Sequence, residues 1–163
     1  MPGMTIKTGD RIPAITIKQA TAEGPTDVDV AALLAGKRAI IFSLPGAFTP
    51  TCSQKHLPGY VARFDELRAK GVDVIACLSV NDAHVMRAWA EQHNALGKIV
   101  MLADGSAVLT RALGLELDLT AAHMGLRGQR AALEVDDGVV RRVDVEAAGK
   151  FEVSGAEACL ARL

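Results

Sequence analysis

Cys52 stands in the run Phe42-Ser43-Leu44-Pro45-Gly46-Ala47-Phe48-Thr49-Pro50-Thr51-Cys52-Ser53, where an apolar stretch breaks at Pro45-Gly46 and a Thr-Pro pair restarts the chain. Proline suits the first helical position, because its missing N–H would have had no partner there and its φ is already set. Thr49 is then the natural N-cap, able to accept from a backbone N–H two or three residues on. On that count Cys52 is the third helical residue, among unpaired N–H groups at the positive end of the helix dipole. A thiol so placed ionises more readily, and the thiolate is the nucleophile. The segment reads as a nucleophile site.

The elements that must position it alternate along the chain. A short strand around Ile15 to Ile17 and a small helix around Val30 to Leu34 precede the strand Arg38 to Ser43, which feeds a long helix from Pro50 to about Lys70. Gly71 ends that helix. Val72 to Val80 is nearly all apolar, as expected of a strand covered on both faces of a parallel sheet. Asn81 or Asp82 caps the next helix, which runs to about His93 with Val85, Met86 and Trp89 on one face. Ile99 to Leu102 is another strand and Ser106 to Leu113 another helix. Arg130 to Val135 and Val139 to Val145 flank Asp136-Asp137-Gly138, a hairpin signal. Ser154-Gly155-Ala156-Glu157 is a capping box opening a last helix. The pattern predicts an α/β thioredoxin-like sandwich, a central mixed β-sheet flanked by helices.

At 163 residues and 17.1 kDa the chain is expected to form one domain, 1–163. Half of the residues are hydrophobic, yet there are only four Phe, one Tyr and one Trp, so the core rests on Ala, Val, Leu and Ile. A net charge of −1 with no basic stripe points away from nucleic acid. No stretch approaches the ~20 apolar residues of a membrane span. The start, Met1 to Lys7, lacks the charged and apolar regions of a signal peptide. Three cysteines without paired spacing argue against a disulfide framework, and a cytoplasmic location is expected. His84, His93 and His123 lack metal-ligand spacing, so no metal or cofactor is expected.

Pro45-x-x-x-Thr49-x-x-Cys52, His56-Leu57-Pro58-Gly59, Ala76-Cys77-Leu78-Ser79-Val80-Asn81-Asp82 and Trp89, at these spacings, carry a family resemblance. The chain resembles the peroxiredoxins over essentially its whole length, specifically the atypical subfamily of peroxiredoxin five and the plant type II enzymes. The resemblance implies a thiol peroxidase that reduces hydrogen peroxide and small alkyl hydroperoxides. It places the peroxidatic cysteine on Cys52, its paired proline and threonine on Pro45 and Thr49, and the active-site arginine on Arg130. Between Leu119 and Arg130 the register needs a small gap, which leaves Arg127 as the alternative. A homodimer is also implied.

In such a reaction Cys52 attacks the peroxide, Arg130 and the helix N-terminus favour the thiolate, and Pro45 shields the sulfur. Thr49 is expected to accept a backbone N–H while pointing its own O–H at the sulfur or a peroxide oxygen. His56, one helical turn past Cys52, is read either as a base or as a residue shaping the site. The sulfenic acid formed on Cys52 needs a second thiol. Ser154 stands at the position of the C-terminal resolving cysteine of some relatives, Cys159 lies farther into the last helix, and Cys77 sits in a strand too deep for direct closure. An external reductant is therefore expected, glutathione or a glutaredoxin, with a thioredoxin as second choice. Two other classes share these residues. A thiol–disulfide oxidoreductase needs Cys-x-x-Cys, and Thr49 and Lys55 stand where its second thiol would be. A non-catalytic redox sensor would use Cys52 without turnover.

Overall fold

The computed structural model describes residues 4–163; Met1-Pro2-Gly3, part of the start read above for a leader, lie outside the described residues. Among the described residues nine strands and six α-helices follow in the order β1 (Thr16–Thr21), β2 (Gly24–Asp29), α1 (Val30–Leu34), β3 (Arg38–Ser43), a π-helical turn (Cys52–His56), α2 (Leu57–Ala62), α3 (Phe64–Ala69), β4 (Val74–Ser79), α4 (Ala83–Gln92), β5 (Val100–Ala103), α5 (Val108–Ala112), β6 (Glu116–Leu119), β7 (Gly125–Gly128), β8 (Ala131–Asp136), β9 (Val139–Val145) and α6 (Ala156–Arg162). The main sheet runs β2-β1-β5-β4-β3-β8-β9. Its central strands β5, β4 and β3 are parallel, and antiparallel pairs flank them on both sides. The thioredoxin-like mixed sheet flanked by helices is as expected.

Alternation along the central strands sorts two cores. Ile40, Phe42, Ile75 and Cys77 face the layer that holds Cys52, Leu57, Tyr60, Met86 and Trp89. Ala39, Ile41, Val74, Ala76 and Leu78 face α1 and α5 through Leu34, Leu109 and Leu113. Every residue of β4 is buried, which is why that strand is a continuous apolar run. Met86 and Trp89 of the α4 stripe are core, both fully buried.

Two hairpins escape the sequence pattern. Gly-Pro-Thr-Asp-Val-Asp of β2 looks like a loop because it is an edge strand, where polar residues and proline are tolerated. β6 and β7 form a separate two-stranded ribbon through a short 3₁₀ turn at Thr120–Ala122. Leu115-x-Leu117-x-Leu119 is its faint alternation signal. The β8–β9 hairpin turns at Asp137 and Gly138, both at positive φ (49° and 75°), as its Asp-Gly pair requires.

Three expectations are corrected. The long helix from Pro50 does not run unbroken to Lys70. It widens into the π turn and breaks again at Arg63, which has left helical ψ (φ −99°, ψ 11°). Pro58 accounts for the first irregularity: in an α register its ring would press on the Gln54 carbonyl and lack the N–H to bond it. The wide turn instead closes from the Leu57 N–H to the Cys52 carbonyl. The capping box at Ser154 does not form either. Gly155 is the N-cap of α6 without a side-chain bond, because the Ser154 hydroxyl is taken by Glu146 (2.7 Å). Thr49 is the third, described with the site.

Of Asn81 and Asp82, Asp82 caps α4, its Oδ1 accepting from the N–H groups of His84 (2.9 Å) and Val85 (3.0 Å). Asp82→Ala is expected to cost about 1 kcal/mol and to lower the melting temperature by roughly 2–4 °C, with Asp82→Asn close to wild type. Thermal denaturation followed by circular dichroism checks this, and an unchanged melting temperature in the alanine variant would count against the cap.

Candidate active site

Strand β3 ends at Ser43, and the chain turns through Pro45–Thr49 before the helix begins. The turn is held from outside. Asn81, just past β4, accepts from the Ala47 N–H at 2.9 Å and from the Ser79 hydroxyl at 2.5 Å. Phe48 adopts a left-handed backbone (φ 66°), unusual for an aromatic residue, with its half-exposed ring 6.5 Å from that of Trp89. Trp89 donates its indole N–H to the Ser53 hydroxyl (3.0 Å), tying α4 to the residue after Cys52.

The first helical hydrogen bond runs from the Ser53 N–H to the Thr49 carbonyl (3.0 Å). Thr49 is thus the N-cap by backbone, as expected, and Cys52 lies in the first turn. Its side chain does otherwise than expected. The hydroxyl donates to the Gly46 carbonyl (2.7 Å), so it neither caps the helix nor has its proton free for sulfur or substrate. Its lone pairs are what it can still offer.

Cys52 is fully buried, and Arg130 reaches it from the segment between β7 and β8: Nη2 donates to Sγ at 3.1 Å. The same guanidinium donates from Nη1 to His56 Nδ1 at 2.8 Å. Arg127, the alternative, lies elsewhere. It donates from Nε to the Met124 carbonyl (3.0 Å) and from Nη1 to the Pro45 carbonyl (3.4 Å), bracing the turn. It crosses so close to Gly46 that a Cβ there would come within 2.5 Å of Arg127 Nη1 and displace the guanidinium.

His56 was singled out by sequence, but its partners were not. Arginine only donates and a backbone carbonyl only accepts, so Nδ1 is bare and Nε2 carries the proton, donated to the Ser154 carbonyl (3.0 Å). The ring is packed between Phe42 (centroids 5.0 Å apart) and Phe151 (5.1 Å). Burial, reinforced by the Arg130 charge, pushes His56 down to about 3. It is a neutral prop for the guanidinium, and the reading as a base for Cys52 is set aside.

Ser154, fully buried, also takes the Tyr60 hydroxyl on its carbonyl (2.7 Å), and Tyr60 Oη lies 3.2 Å from Cys159 Sγ. Glu146 holds this segment in place. Its carboxylate accepts from the N–H groups of Glu152 (2.9 Å), Val153 (2.9 Å) and Ser154 (2.8 Å). Partial burial opposes the Glu146 charge, but these donors outweigh it and hold the group below the ordinary carboxylate value. Nothing in the sequence pairs positions 146 and 154. All three cysteines are free; burial pushes the Cys77 thiol well up and raises Cys159 as well.

A redoxin family model matches residues 7–160. Peroxiredoxin-2E-2, chloroplastic, of Oryza sativa subsp. japonica is 52% identical over 98% of this chain and 73% of its own length. The chain belongs to the peroxiredoxin family. Peroxiredoxin-2E, chloroplastic, of Arabidopsis thaliana is 47% identical over 98% of this peroxiredoxin and 70% of its own length. Among solved structures, reduced Prx3 of Vibrio vulnificus in complex with H2O2 superposes with a TM-score of 0.92, at 54% identity over 97% of this chain and 99% of that one. Peroxiredoxin 5 of Alvinella pompejana gives 0.83 at 35% identity, with 96% of each chain covered. The expected kinship with the plant type II and peroxiredoxin five enzymes is borne out, and with it thiol peroxidase chemistry.

The neutral His56 has a consequence for stability. Below about 6.5 the unfolded chain binds a proton at His56 that the native state refuses until about 3. Its contribution is fully present above about 6.5 and shrinks as the pH falls toward about 3, by up to ~1.4 kcal/mol per pH unit. Urea unfolding of wild type between pH 7 and 4.5 is expected to show this slope and His56→Gln a shallower one. Equal slopes would mean that His56 is accessible to protons in the native state.

Proposed function

We propose that this peroxiredoxin reduces hydrogen peroxide and small alkyl hydroperoxides at Cys52, with Arg130, Thr49 and Pro45 completing the site. The observation that carries the reading is the single guanidinium donating to Cys52 Sγ at 3.1 Å while fixed by His56 at 2.8 Å. The Cys52 thiolate attacks the distal peroxide oxygen, a sulfur–oxygen bond forms, the O–O bond breaks, and the electron pair leaves on hydroxide or alkoxide, which takes up a proton. Arg130 is a fixed donor for charge gathering on the oxygens, with no solvent reorganisation needed. Thr49, its own proton committed to Gly46, acts as acceptor for the hydroperoxide O–H. Pro45 lines the mouth and brings no N–H to compete for sulfur or peroxide.

The sulfenic acid is resolved from outside in this reading. A first glutathione displaces water to give a mixed disulfide, and a second thiol, from glutathione or a glutaredoxin, releases Cys52 and carries away the oxidised sulfur. A thioredoxin is the second choice. A cavity of about 540 Å³ at the mouth, lined by Pro45, Thr51, Lys55, Arg130, Lys150 and Phe151 among others, supports a small anionic thiol. Lys55 and Lys150 suit its carboxylates, and Glu146 and Glu152 on the same wall suit its ammonium group. Cys77, paired with Phe42 and Met101 at the centre of the sheet, is too deep to serve without opening it. A homodimer and a cytoplasmic location belong to the same proposal. The half-exposed Phe48 supports the first and three free cysteines the second. Equilibrium sedimentation at the 17.1 kDa mass of a single chain would count against the dimer.

Cys52→Ser is expected to abolish peroxide consumption, and retained turnover would sink the assignment. Arg130→Gln is expected to slow Cys52 oxidation by roughly a hundredfold, the scale of losing one fixed transition-state donor, and Arg127→Gln by far less. Stopped-flow oxidation by hydrogen peroxide measures both; the reverse ranking would transfer the role to Arg127. Intact mass after oxidation with and without glutathione tests the resolver: a glutathione adduct supports it, and a loss of two hydrogens points to Cys77 or Cys159.

A further inference from the structure

Glu146 is fastened to the reaction centre at both of its ends. Its backbone N–H donates to the Arg130 carbonyl (2.9 Å), across the β8–β9 margin of the sheet. Its carboxylate gathers Glu152, Val153 and Ser154, with the Ser154 hydroxyl as a further donor (2.7 Å). The Ser154 carbonyl holds His56 Nε2, and His56 Nδ1 holds the Arg130 guanidinium. The hydrogen bonds therefore form a closed ring that leaves Arg130 by its main chain and returns to it by its side chain.

We propose that Glu146 is a positioning residue for the peroxidase reaction, setting the angle at which Arg130 meets Cys52 and the peroxide, by way of Ser154 and His56. This rests on the peroxidase reading given above. The physical case lies in what a carboxylate does that no other group at 146 can. Four donors converge on it, three consecutive backbone N–H groups and the Ser154 hydroxyl, and only an ionised carboxylate presents enough lone pairs to take them all. A neutral amide at the same place has one acceptor oxygen and brings two N–H groups of its own to face donors. The Ser154 carbonyl is then placed from the Tyr60 side alone, and the His56 ring, packed between Phe42 and Phe151, passes its displacement to the guanidinium. A shift of a fraction of an ångström in a transition-state donor is costly in rate. Arg130, not Glu146, is the side chain that donates to Cys52 Sγ, so Glu146 acts on the reaction through Arg130.

Glu146→Gln is the test, with Glu91→Gln as control, since the exposed Glu91 carboxylate pairs with Arg87 on the outer face of α4, away from the ring. Cys52 oxidation by hydrogen peroxide is expected to be about tenfold slower in Glu146→Gln and unchanged in the control. Alkylation of Cys52 by iodoacetamide, which uses the sulfur without an arginine-held peroxide, is expected to change less than threefold. Oxidation within twofold of wild type would overturn the proposal. So would a parallel change in oxidation and alkylation that tracks lost circular dichroism, the mark of a merely structural role. Should Glu146→Gln not fold, Ser154→Ala removes one of the four donors that the Glu146 carboxylate gathers and is expected to slow oxidation two- to threefold; no change would overturn the proposal equally. The buried His56 Nε2–H resonance in nitrogen-edited NMR gives a readout independent of activity, expected to shift or broaden in Glu146→Gln and to stay in place in the control. A wild type that consumes no peroxide removes the peroxidase reading, while that resonance still decides whether Glu146 sets His56.

Discussion

One guanidinium shared between a sulfur and an imidazole is the constraint around which this molecule is arranged. Arg130 brings a fixed positive charge into a pocket where Cys52 has no exposure to water, and a charge so placed must be met by acceptors on every side it presents. Sulfur takes one side and a neutral histidine another. An ionised histidine would turn the second contact into a repulsion, which is why burial and the arginine together keep His56 uncharged. The polarity of the whole site follows from that single requirement.

The fold meets it by bringing four separate pieces of chain to one end of the sheet. β3 ends in the turn that presents Cys52, β8 begins just after Arg130, β4 runs out into Asn81, and β9 leads to Glu146 and the segment before α6. Because β3 lies between β4 and β8, the nucleophile's loop is flanked by its two supports, Asn81 on one side and Arg130 on the other. The apolar layer beneath, with Phe42 stacked on Tyr60 at 4.0 Å, gives these polar contacts a stiff floor. Short hydrogen bonds in such surroundings are strong and expensive to break.

Much of this was legible in the residues. The strand Arg38–Ser43 and helix Val30–Leu34 stand where periodicity put them, and Pro45, Thr49, Cys52 and Arg130 do come together at one sheet end. What sequence could not supply was direction. Thr49 has one proton and two plausible acceptors, and only the closeness of the Gly46 carbonyl decides between them. Ser154 and Glu157 have capping-box spacing, but a carboxylate eight residues upstream competes for the hydroxyl and wins because it already holds the neighbouring N–H groups. β2 and the β6–β7 ribbon were missed because edge strands owe their pairing to partners rather than to a hydrophobic face.

The wide turn at Cys52–His56 carries a last implication. One additional residue in a helical repeat rotates everything beyond it by roughly 100° relative to an α register. The sulfur's bearing relative to Tyr60 and the rest of α2 is therefore set in the backbone, by the ring and missing N–H of Pro58, rather than by side-chain packing. A chain diverging from this one could exchange core side chains freely and keep its reactive atom aimed at the same point, but a single replacement at 58 would open a second helical phase to it.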